Sequence, residues 1–195
     1  MVRYKVQCVF TEQLLGTVPK DKEVYAKWVA TQANDEQLVE ELETIQEVEE
    51  SGWTGFHQID EEPYLYDYVI KGFFKEACWS MRNVPDSLSG KLGWYKKKID
   101  ALVFVEPRLI AVQLNGGAMG IMERPLRAET AKGPRTALAR SDTCPPGSSI
   151  EFTVTILGQI SRAMLEEWLR YGQWRGLGQW RNANWGRFTY TLEPC

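Results

Sequence analysis

The sequence predicts an α+β fold in a single domain of 195 residues. Several segments alternate polar and apolar residues, as half-buried strands do, and two others place apolar residues at helical spacing. Hydrophobic residues make up 44% of the chain, which is enough for a substantial core. The chain has no run of 18 apolar residues, and its N-terminus alternates instead of forming the apolar core of a signal peptide. We therefore expect a soluble intracellular protein.

The first half of the predicted core holds a strand, a helix and two further strands. Residues 3–10 are a strand, because every second residue is apolar. Residues 72–83 are a helix, because apolar side chains from Phe73 to Met81 recur every three or four positions. Two apolar segments then follow, 101–106 and 108–114, and each is long enough for a strand.

The second half of the predicted core holds a strand, a helix and a last strand. Residues 149–157 alternate most regularly and predict a strand, and residues 159–171 place Ile160, Leu165 and Trp168 on one helical face. Residues 187–192 predict the last strand. Apart from insertions and one extra strand, the order is β-α-β-β-α-β, which is the ferredoxin-like (RRM-like) arrangement. Many functions use this architecture, RNA recognition among them, so the fold does not select one.

Two segments interrupt the predicted core, which consists of residues 1–15, 64–114 and 148–195. The first is an acidic helical insertion, residues 20–62, in which residues 35–50 contain eight acids and no base. The acidic helix 35–50 is either a solvated face or a surface that repels nucleic acid or docks a basic neighbour. The second is a basic hairpin arm, residues 115–147, which we expect to lie on a polyanion or on a neighbouring subunit.

Charge is divided unevenly between the two parts of the chain. Residues 1–62 hold 5 basic and 14 acidic residues, net −9, whereas residues 63–195 hold 18 and 12, net +6. Such asymmetry is expected when one part of a protein meets phosphates and another part faces solvent or a basic partner. The basic part contains most of the predicted core and the arm.

The chain lacks the spacing of a metal or redox site. Its four cysteines are far apart, with no C-x-x-C pair, so we predict free thiols, no metal and no cofactor. His57 is the only histidine and lies in a turn-rich segment. It is either a solvated loop residue or a catalytic one.

The segment from Gly172 to Phe188, GQWRGLGQWRNANWGRF, is called the glycine-rich loop below. It combines glycines, which allow close backbone approach, with arginines for phosphates and tryptophans on which bases stack. This mixture predicts a contact with single-stranded nucleic acid. The alternative is a helix-to-strand connection with glycine turns and tryptophans packed under the core. The predicted RNA-binding residues here are Gly176, Gly178, Trp180, Arg181, Asn182, Gly186 and Arg187.

Further RNA-binding candidates lie near the first helix and in the arm. Residues 64–70 look extended and lead into Lys71 and Gly72, so Lys71, Lys75 and Arg82 are either ordinary solvated charges or phosphate ligands. The arm from 120 to 140 carries five basic and two acidic residues. Its candidates are Arg124 and Arg127.

These motifs resemble the RAMP superfamily of CRISPR-associated RNA-binding proteins. GLGQWRNANWGRF is similar to the glycine-rich loop of that superfamily, YVIKGFFKEA resembles its helix with basic residues beside the RNA, and LLGTVP occupies the position of its first small-residue loop. The same combination resembles small proteins encoded in bacterial phages and prophages. The likeness covers the two ends and the middle helix. It implies a cytoplasmic location in a bacterial host cell.

The resemblance implies RNA binding by a backbone subunit that assembles head-to-tail along a single-stranded guide RNA, with a DNA or RNA strand as a possible target. A catalytic role is not expected. Some backbone subunits of that superfamily cleave target RNA with a loop aspartate, for which Asp60, Asp67 and Asp86 are equal candidates here. Two alternatives remain: a metal-independent endoribonuclease that cuts a hairpin RNA near His57, and a phage protein that mimics or caps a host CRISPR complex.

Overall fold

The computed structural model describes residues 1–21, 52–130 and 133–195. The described residues form an α+β fold with two antiparallel-rich sheets, as the sequence predicts at this coarse level. Most of the predicted acidic insertion, including the acidic helix 35–50, lies outside them. Within these three ranges, every helix is too short or too polar to cross a membrane.

The main sheet contains seven strands. They are β1 (Val2–Phe10), β5 (His57–Ile59), β6 (Glu62–Tyr66), β7 (Val103–Glu106), β8 (Leu109–Gln113), β11 (Ser149–Ile156) and β12 (Phe188–Pro194). Their order is β12-β1-β11-β8-β6-β5, and β7 also pairs with β11. Every pairing in this sheet is antiparallel.

The centre of the main sheet follows from the alternation of β1 and β11. Val6 pairs with Phe152 and Cys8 with Ile150, and all four side chains are buried. The residues between them are exposed or half-buried, so only one face of each strand meets the core. Because side chains alternate along a strand, a shift of register by one residue would expose this whole apolar set.

Three helices in the described chain lie against the main sheet. They are α1 (Asp67–Met81), α2 (Tyr95–Leu102) and α3 (Arg162–Arg175). The ring centroids of Phe74 on α1 and Trp168 on α3 are 5.7 Å apart, and those of Phe73 and Phe188 on β12 are 5.6 Å apart. The buried faces of α1 and α3 therefore share one core with the sheet.

Helix α1 begins earlier than the sequence pattern predicts. Residues 64–70 were expected to be extended, but the strand ends at Tyr66 and the helix begins at Asp67. Ile70 is buried with Phe73, Phe74 and Ala77, which is the spacing of one helical face. Gly72 is therefore an exposed residue inside α1 and does not form the turn that the sequence suggested.

The region after α1 also differs from the prediction. Tyr95–Leu102 is a helix where the apolar segment suggested that a strand begins, and Ile99 is its buried residue. Strands β7 and β8 follow at the two predicted positions. Both pair with β11, β7 with its C-terminal half and β8 with its first residues.

A smaller sheet of five strands lies beside the main one. It contains β2 (Leu14–Leu15), β3 (Val18–Pro19), β4 (Trp53–Gly55), β9 (Gly120–Thr130) and β10 (Gly133–Cys144). Their order is β2-β10-β4-β3, with β9 paired to β10. Strands β9 and β10 form the long antiparallel hairpin within the predicted arm. Only the base of this hairpin pairs with the other strands of the sheet.

Candidate nucleic-acid interface

The first four residues of the glycine-rich loop, 172–175, form the end of α3, and the rest of the loop closes on itself. The amide of Leu177 donates a hydrogen bond to the carbonyl of Gly186 at 2.9 Å. Gly176 and Gly186 have φ values of +75° and +70°. A Cβ on Gly186 would overlap the carbonyl oxygen of Leu177, and one on Gly176 would overlap the carbonyl oxygen of Trp185. These glycines are therefore required by contacts within the loop.

The loop also docks on the short strand β2. Gly186 N–H donates to the carbonyl of Gln13 at 2.9 Å, and Gln179 N–H donates to that of Leu15 at 3.2 Å. Gly178 has a φ of +81°, and a Cβ there would overlap the Leu15 carbonyl oxygen. The sequence offered two interpretations of the loop, and for its glycines the geometry favours the structural one. Side chains elsewhere in the loop remain available to a ligand.

An ion cluster ties the loop to α1. Glu76 accepts a hydrogen bond from Arg175 Nε at 2.8 Å and a second one from Arg181 Nη1, and both arginines are about one quarter exposed. Arg175 also donates to the side-chain oxygen of Asn182. Arginine forks hold carboxylates in fixed geometry, so Glu76 orients both guanidinium groups.

The polar side chains of the loop line a cavity of about 390 Å³. The predicted residues Gly178, Trp180, Arg181 and Asn182 are brought together there with Thr17 and Arg175. Arg187 lies outside this set, and its guanidinium donates to the carbonyl of Trp174 at 3.0 Å and to Asn184 Oδ1 at 2.6 Å. The cavity can thus offer cationic and amide groups and an indole to one ligand.

A buried ion pair fixes the base of the arm. Lys20 Nζ lies 2.6 Å from Asp142 Oδ2, and both side chains are only 7% exposed. Trp53 Nε1 donates to Asp142 Oδ1 at 2.9 Å, and the Lys20 ammonium lies 4.6 Å from the centre of the Trp53 ring. Gly55 makes room for this pair, because a Cβ there would lie 2.5 Å from Asp142 Oδ2.

The same small sheet joins the arm to the glycine-rich loop. The hydroxyl of Thr54 is within hydrogen-bond distance of the Arg140 carbonyl, at 3.3 Å, and of the Gln179 side-chain oxygen. Ser141 Oγ donates to the Gly16 carbonyl at 2.9 Å. Arm and loop are distant in sequence, yet both are held by residues 13–20 and 53–55.

The predicted residues on α1 are tied to α2. Lys75 Nζ lies 2.8 Å from Asp100 Oδ1, and Lys71 Nζ donates to the Asp100 carbonyl at 3.1 Å. Arg82, just after α1, donates to the Leu92 carbonyl at 2.7 Å. Lys71 and Lys75 are half-buried and Arg82 is exposed, and all three are already bonded within the protein. Whether Lys71, Gly72, Lys75 and Arg82 also contact RNA stays a prediction.

The arm candidates and the three aspartates occupy separate places. Arg124 and Arg127 lie on β9, opposite Ala139 and Thr136 of β10. Asp60 is in the turn between β5 and β6, Asp67 is the first residue of α1, and Asp86 follows that helix. The three carboxylates do not share an element, and none is selected as catalytic.

His57 is a buried core residue and not a solvated loop residue. It begins β5, pairs with Tyr64 of β6 and is 2% exposed. Its ring centroid lies 4.5 Å from that of Tyr66, in an edge-on contact. Burial lowers the pKa of His57 from 6.5 to about 4, so the imidazole is neutral at pH 7. A substrate outside the protein cannot reach it, and the hairpin nuclease alternative loses its proposed residue.

The buried His57 predicts a specific loss of stability in acid. Between pH 6.5 and about pH 4 the unfolded chain binds a proton that the folded chain excludes. The free energy of unfolding should therefore fall by up to about 3 kcal/mol as the pH decreases through this window. Urea denaturation of the parent and of His57→Gln at several pH values measures this. Profiles of equal slope in the two proteins would contradict the assignment.

The described residues hold no group of three or more metal-ligating side chains. All four cysteines are free thiols, and Cys8, Cys78 and Cys144 are buried. Burial raises the pKa of all three thiols, that of Cys144 to about 12 with a smaller contribution from the Asp142 carboxylate. These three cysteines are therefore protonated and unreactive at neutral pH.

Sequence patterns missed a second surface, which we call the aromatic groove. It lies between the C-terminal half of α1 and the start of α2 and is lined by Trp79, Arg82, Trp94, Tyr95, Lys96 and Lys97. In the sequence, WYKKK is only a basic stretch, and Trp79 is one residue of the predicted helix 72–83. A helical interpretation of residues 95–102 would have brought Trp94 and Lys97 together, one turn apart.

Comparison with known proteins identifies the fold. No protein-family model matches the chain, and no curated protein sequence matches it significantly. A chain of the type III-B Cmr-beta complex bound to cognate target RNA superposes with a TM-score of 0.55 at 9% identity, covering 99% of this chain. This protein has the fold of a CRISPR-complex subunit. It spans 61% of the length of that Cmr-beta chain.

A second similar structure is a chain of a type IV-B CRISPR complex. Its TM-score is 0.47 at 10% identity, and the match covers 98% of this chain and 90% of that one.

Proposed function

We propose that this protein is an RNA-binding backbone subunit that assembles head-to-tail along a guide RNA in a CRISPR-like ribonucleoprotein. The observation that carries the proposal is the joining of the glycine-rich loop and the arm by one small sheet. A strand of RNA held by the loop would pass the base of the arm. The fold shared with a subunit of a type III-B complex supports the same conclusion.

The strand order supports a ferredoxin-like core for this subunit. The central strands follow the order β12-β1-β11-β7, all antiparallel. Helix α1 lies in sequence between β1 and β7, and α3 between β11 and β12. In a split βαβ arrangement, two strands joined by a helix are separated by a third strand, as β1 and β7 are separated by β11.

The loop would supply the guide contacts. The cavity of about 390 Å³ offers the guanidinium groups of Arg175 and Arg181, the amide of Asn182 and the indole of Trp180. Glu76 neutralises part of this charge, so the arginines act as oriented hydrogen-bond donors rather than as a free cationic patch. Arginine pairs with phosphate in the same forked geometry that it uses with carboxylate.

The arm would supply contacts between successive subunits. It extends beyond the small sheet, because only the base of β10 pairs with β2 and β4. Ile121 is 58% exposed and Leu138 is 52% exposed, so the hairpin also presents apolar side chains to a neighbour. Head-to-tail contacts of this kind generate open assemblies. A second copy with RNA between is the partner that we propose.

Shortening the arm tests the assembly. Pro125 and Leu138 face each other in the hairpin, so replacing residues 126–137 by Asn-Gly would close a shorter hairpin in register. The ion pair at the base stays intact. We expect a folded monomer that no longer forms the large RNA-containing particles of the parent on gel filtration.

Two comparisons make this result interpretable. Nuclease treatment of the parent should dissolve its particles. A second variant, in which residues 126–137 are replaced by a Gly-Ser segment of equal length, distinguishes the effect of arm length from the effect of the arm's side chains. Particles of parental size in the shortened variant would overturn the assembly role. Discrete RNA in the parent particles would support a guide, whereas no copurifying nucleic acid would count against the function itself.

A further inference from the structure

The aromatic groove continues into a second depression on the same helices. The first has a volume of about 510 Å³ and the second about 290 Å³. Both are lined by Trp79, Tyr95 and Lys96, so they form one track along α1 and α2. The second depression ends at Lys75 and Glu76. The lining residues of this track are distinct from those of the loop cavity.

Two large aromatic side chains in the groove face solvent. Trp94 is 76% exposed and Trp79 is 60% exposed. Trp94 has a φ of +56°, a conformation that residues other than glycine seldom adopt. Because the Trp94 indole is exposed and its backbone is strained, this residue does not stabilise the hydrophobic core of the described fold. Strain of this kind clusters at functional sites.

The charges in the groove favour an anionic ligand. Lys96 and Lys97 are exposed, and Lys97 Nζ lies 5.3 Å from the centre of the Trp94 ring. Two acidic side chains of α1 and α2 are nearby, but each is neutralised: Asp100 by Lys75, and Glu76 by Arg175 and Arg181. The field that a ligand meets is therefore positive.

The residue types favour a nucleic acid over an acidic protein. Every residue that lines the track is aromatic or charged, and none is aliphatic. An amphipathic protein helix buries aliphatic side chains in a groove, and this groove has no aliphatic wall for them. A nucleotide presents a flat base and a phosphate, which match an indole beside a lysine.

We propose that the aromatic groove binds single-stranded nucleic acid by stacking bases on Trp79 and Trp94 while Lys96, Lys97 and Arg82 meet phosphates. The proposal requires no contact between the ligand and the glycine-rich loop or the arm. It adds a nucleic-acid site to the chain and goes beyond the guide contacts proposed above. A strand leaving the loop cavity and a separate strand are both compatible with this site.

The experiment measures binding of a labelled oligouridylate hexamer to the full chain after removal of copurified nucleic acid. We expect Trp79→Ala and Trp94→Ala to weaken affinity roughly tenfold each. Lys96→Ala with Lys97→Ala should lower the slope of log K against log salt by about 1.4, or about 0.7 for each phosphate contact. An abasic strand of the same length should bind the parent weakly and should not respond to the tryptophan substitutions.

Matched controls lie outside both the groove and the glycine-rich loop. Phe104 on β7 is 44% exposed, and Lys98 on α2 bonds to Gln159 at its Nζ, so Phe104→Ala and Lys98→Ala should bind as the parent does. Parental affinity in both tryptophan variants overturns the proposal. Equal binding of the abasic and normal strands overturns it as well, because stacking is then absent. The proposal is also overturned if a polyglutamate peptide competes for the groove as well as RNA does and its affinity falls equally in the tryptophan variants.

A loop variant separates the two proposals. In Trp180→Ala with Arg187→Ala, which leaves both arginine pairs of Glu76 intact, the groove should still bind the hexamer, and its response to Trp94→Ala should persist. If the loop variant abolishes binding and the groove variants do not affect it, the groove proposal fails while the proposed function stands. If groove variants lose affinity but the parent forms no RNA-containing particles, the proposed function fails alone.

Discussion

Gly186→Ala should destabilise the protein by about 2 to 5 kcal/mol and should disrupt the glycine-rich loop. The φ of +70° at Gly186 is strained for any residue with a Cβ. The added atom would overlap the carbonyl oxygen of Leu177, which is backbone and cannot rotate away. The Leu177–Gly186 and Gly186–Gln13 hydrogen bonds would be lost with the loop conformation. Chemical denaturation of the purified variant measures the effect.

The matched control for this substitution is another glycine that the sequence placed in the binding surface. Gly72 is exposed inside α1, and a Cβ there meets nothing within 4 Å. Gly72→Ala should therefore stabilise the protein by up to about 1 kcal/mol, because alanine favours a helix. If Gly186→Ala folds with parental stability and only RNA affinity falls, the glycine serves ligand approach and the structural explanation is wrong.

The strongest periodic patterns in the sequence were reliable predictors of structure. β1 and β11 alternate over eight or nine residues, and each lies within one residue of its predicted bounds. The helix after β11 and the hairpin were also predicted, because an amphipathic helix and a paired β ribbon are local patterns, but α3 spans Arg162–Arg175 and not 159–171. The predicted start of α1 was wrong, because the apolar residues Tyr66 and Ile70 fit the pattern of a strand as well as that of a helix.

The small sheet was not predicted because no local sequence pattern specifies its short strands. β2 and β3 have two residues each and β4 has three, which is too short for any periodicity. β2 and β4 are fixed by pairing with β10, and β3 by pairing with β4. The buried contact of Lys20 with Asp142 also holds them, and no sequence pattern connects these two residues. Only the tertiary structure reveals the contact.

The candidate site was predicted in part for the same reason. Residue types in the glycine-rich loop pointed to arginine, asparagine and tryptophan, and four of the predicted residues line one cavity. The sequence could not show that Glu76 of a distant helix holds Arg175 and Arg181. Nor could it show that Lys75 already pairs with Asp100. Charge partners of this kind decide which cations are free for phosphate.

Asp142→Ala is expected to cost about 3 to 5 kcal/mol of folding stability. The substitution leaves the Lys20 ammonium in a site where its side chain is 7% exposed, without its carboxylate. It also removes the acceptor of the Trp53 indole N–H. Removing one partner of a buried pair costs more than the pair itself contributes, because an uncompensated charge remains in a low-dielectric site. Urea denaturation at neutral pH measures the loss.

Two further variants test this explanation. Glu123→Ala removes a carboxylate of the same hairpin, but the side chains of its pair with Arg140 are 48% and 28% exposed, so the cost should be no more than about 1 kcal/mol. Lys20→Met combined with Asp142→Ala removes the orphaned charge and should recover part of the stability lost in Asp142→Ala. Because this pair holds β4 against β10, the single variant should also lose the linkage between arm and loop, and RNA binding and particle formation should fall together. A cost below about 1 kcal/mol for Asp142→Ala would show that the pair is not what fixes the base of the arm.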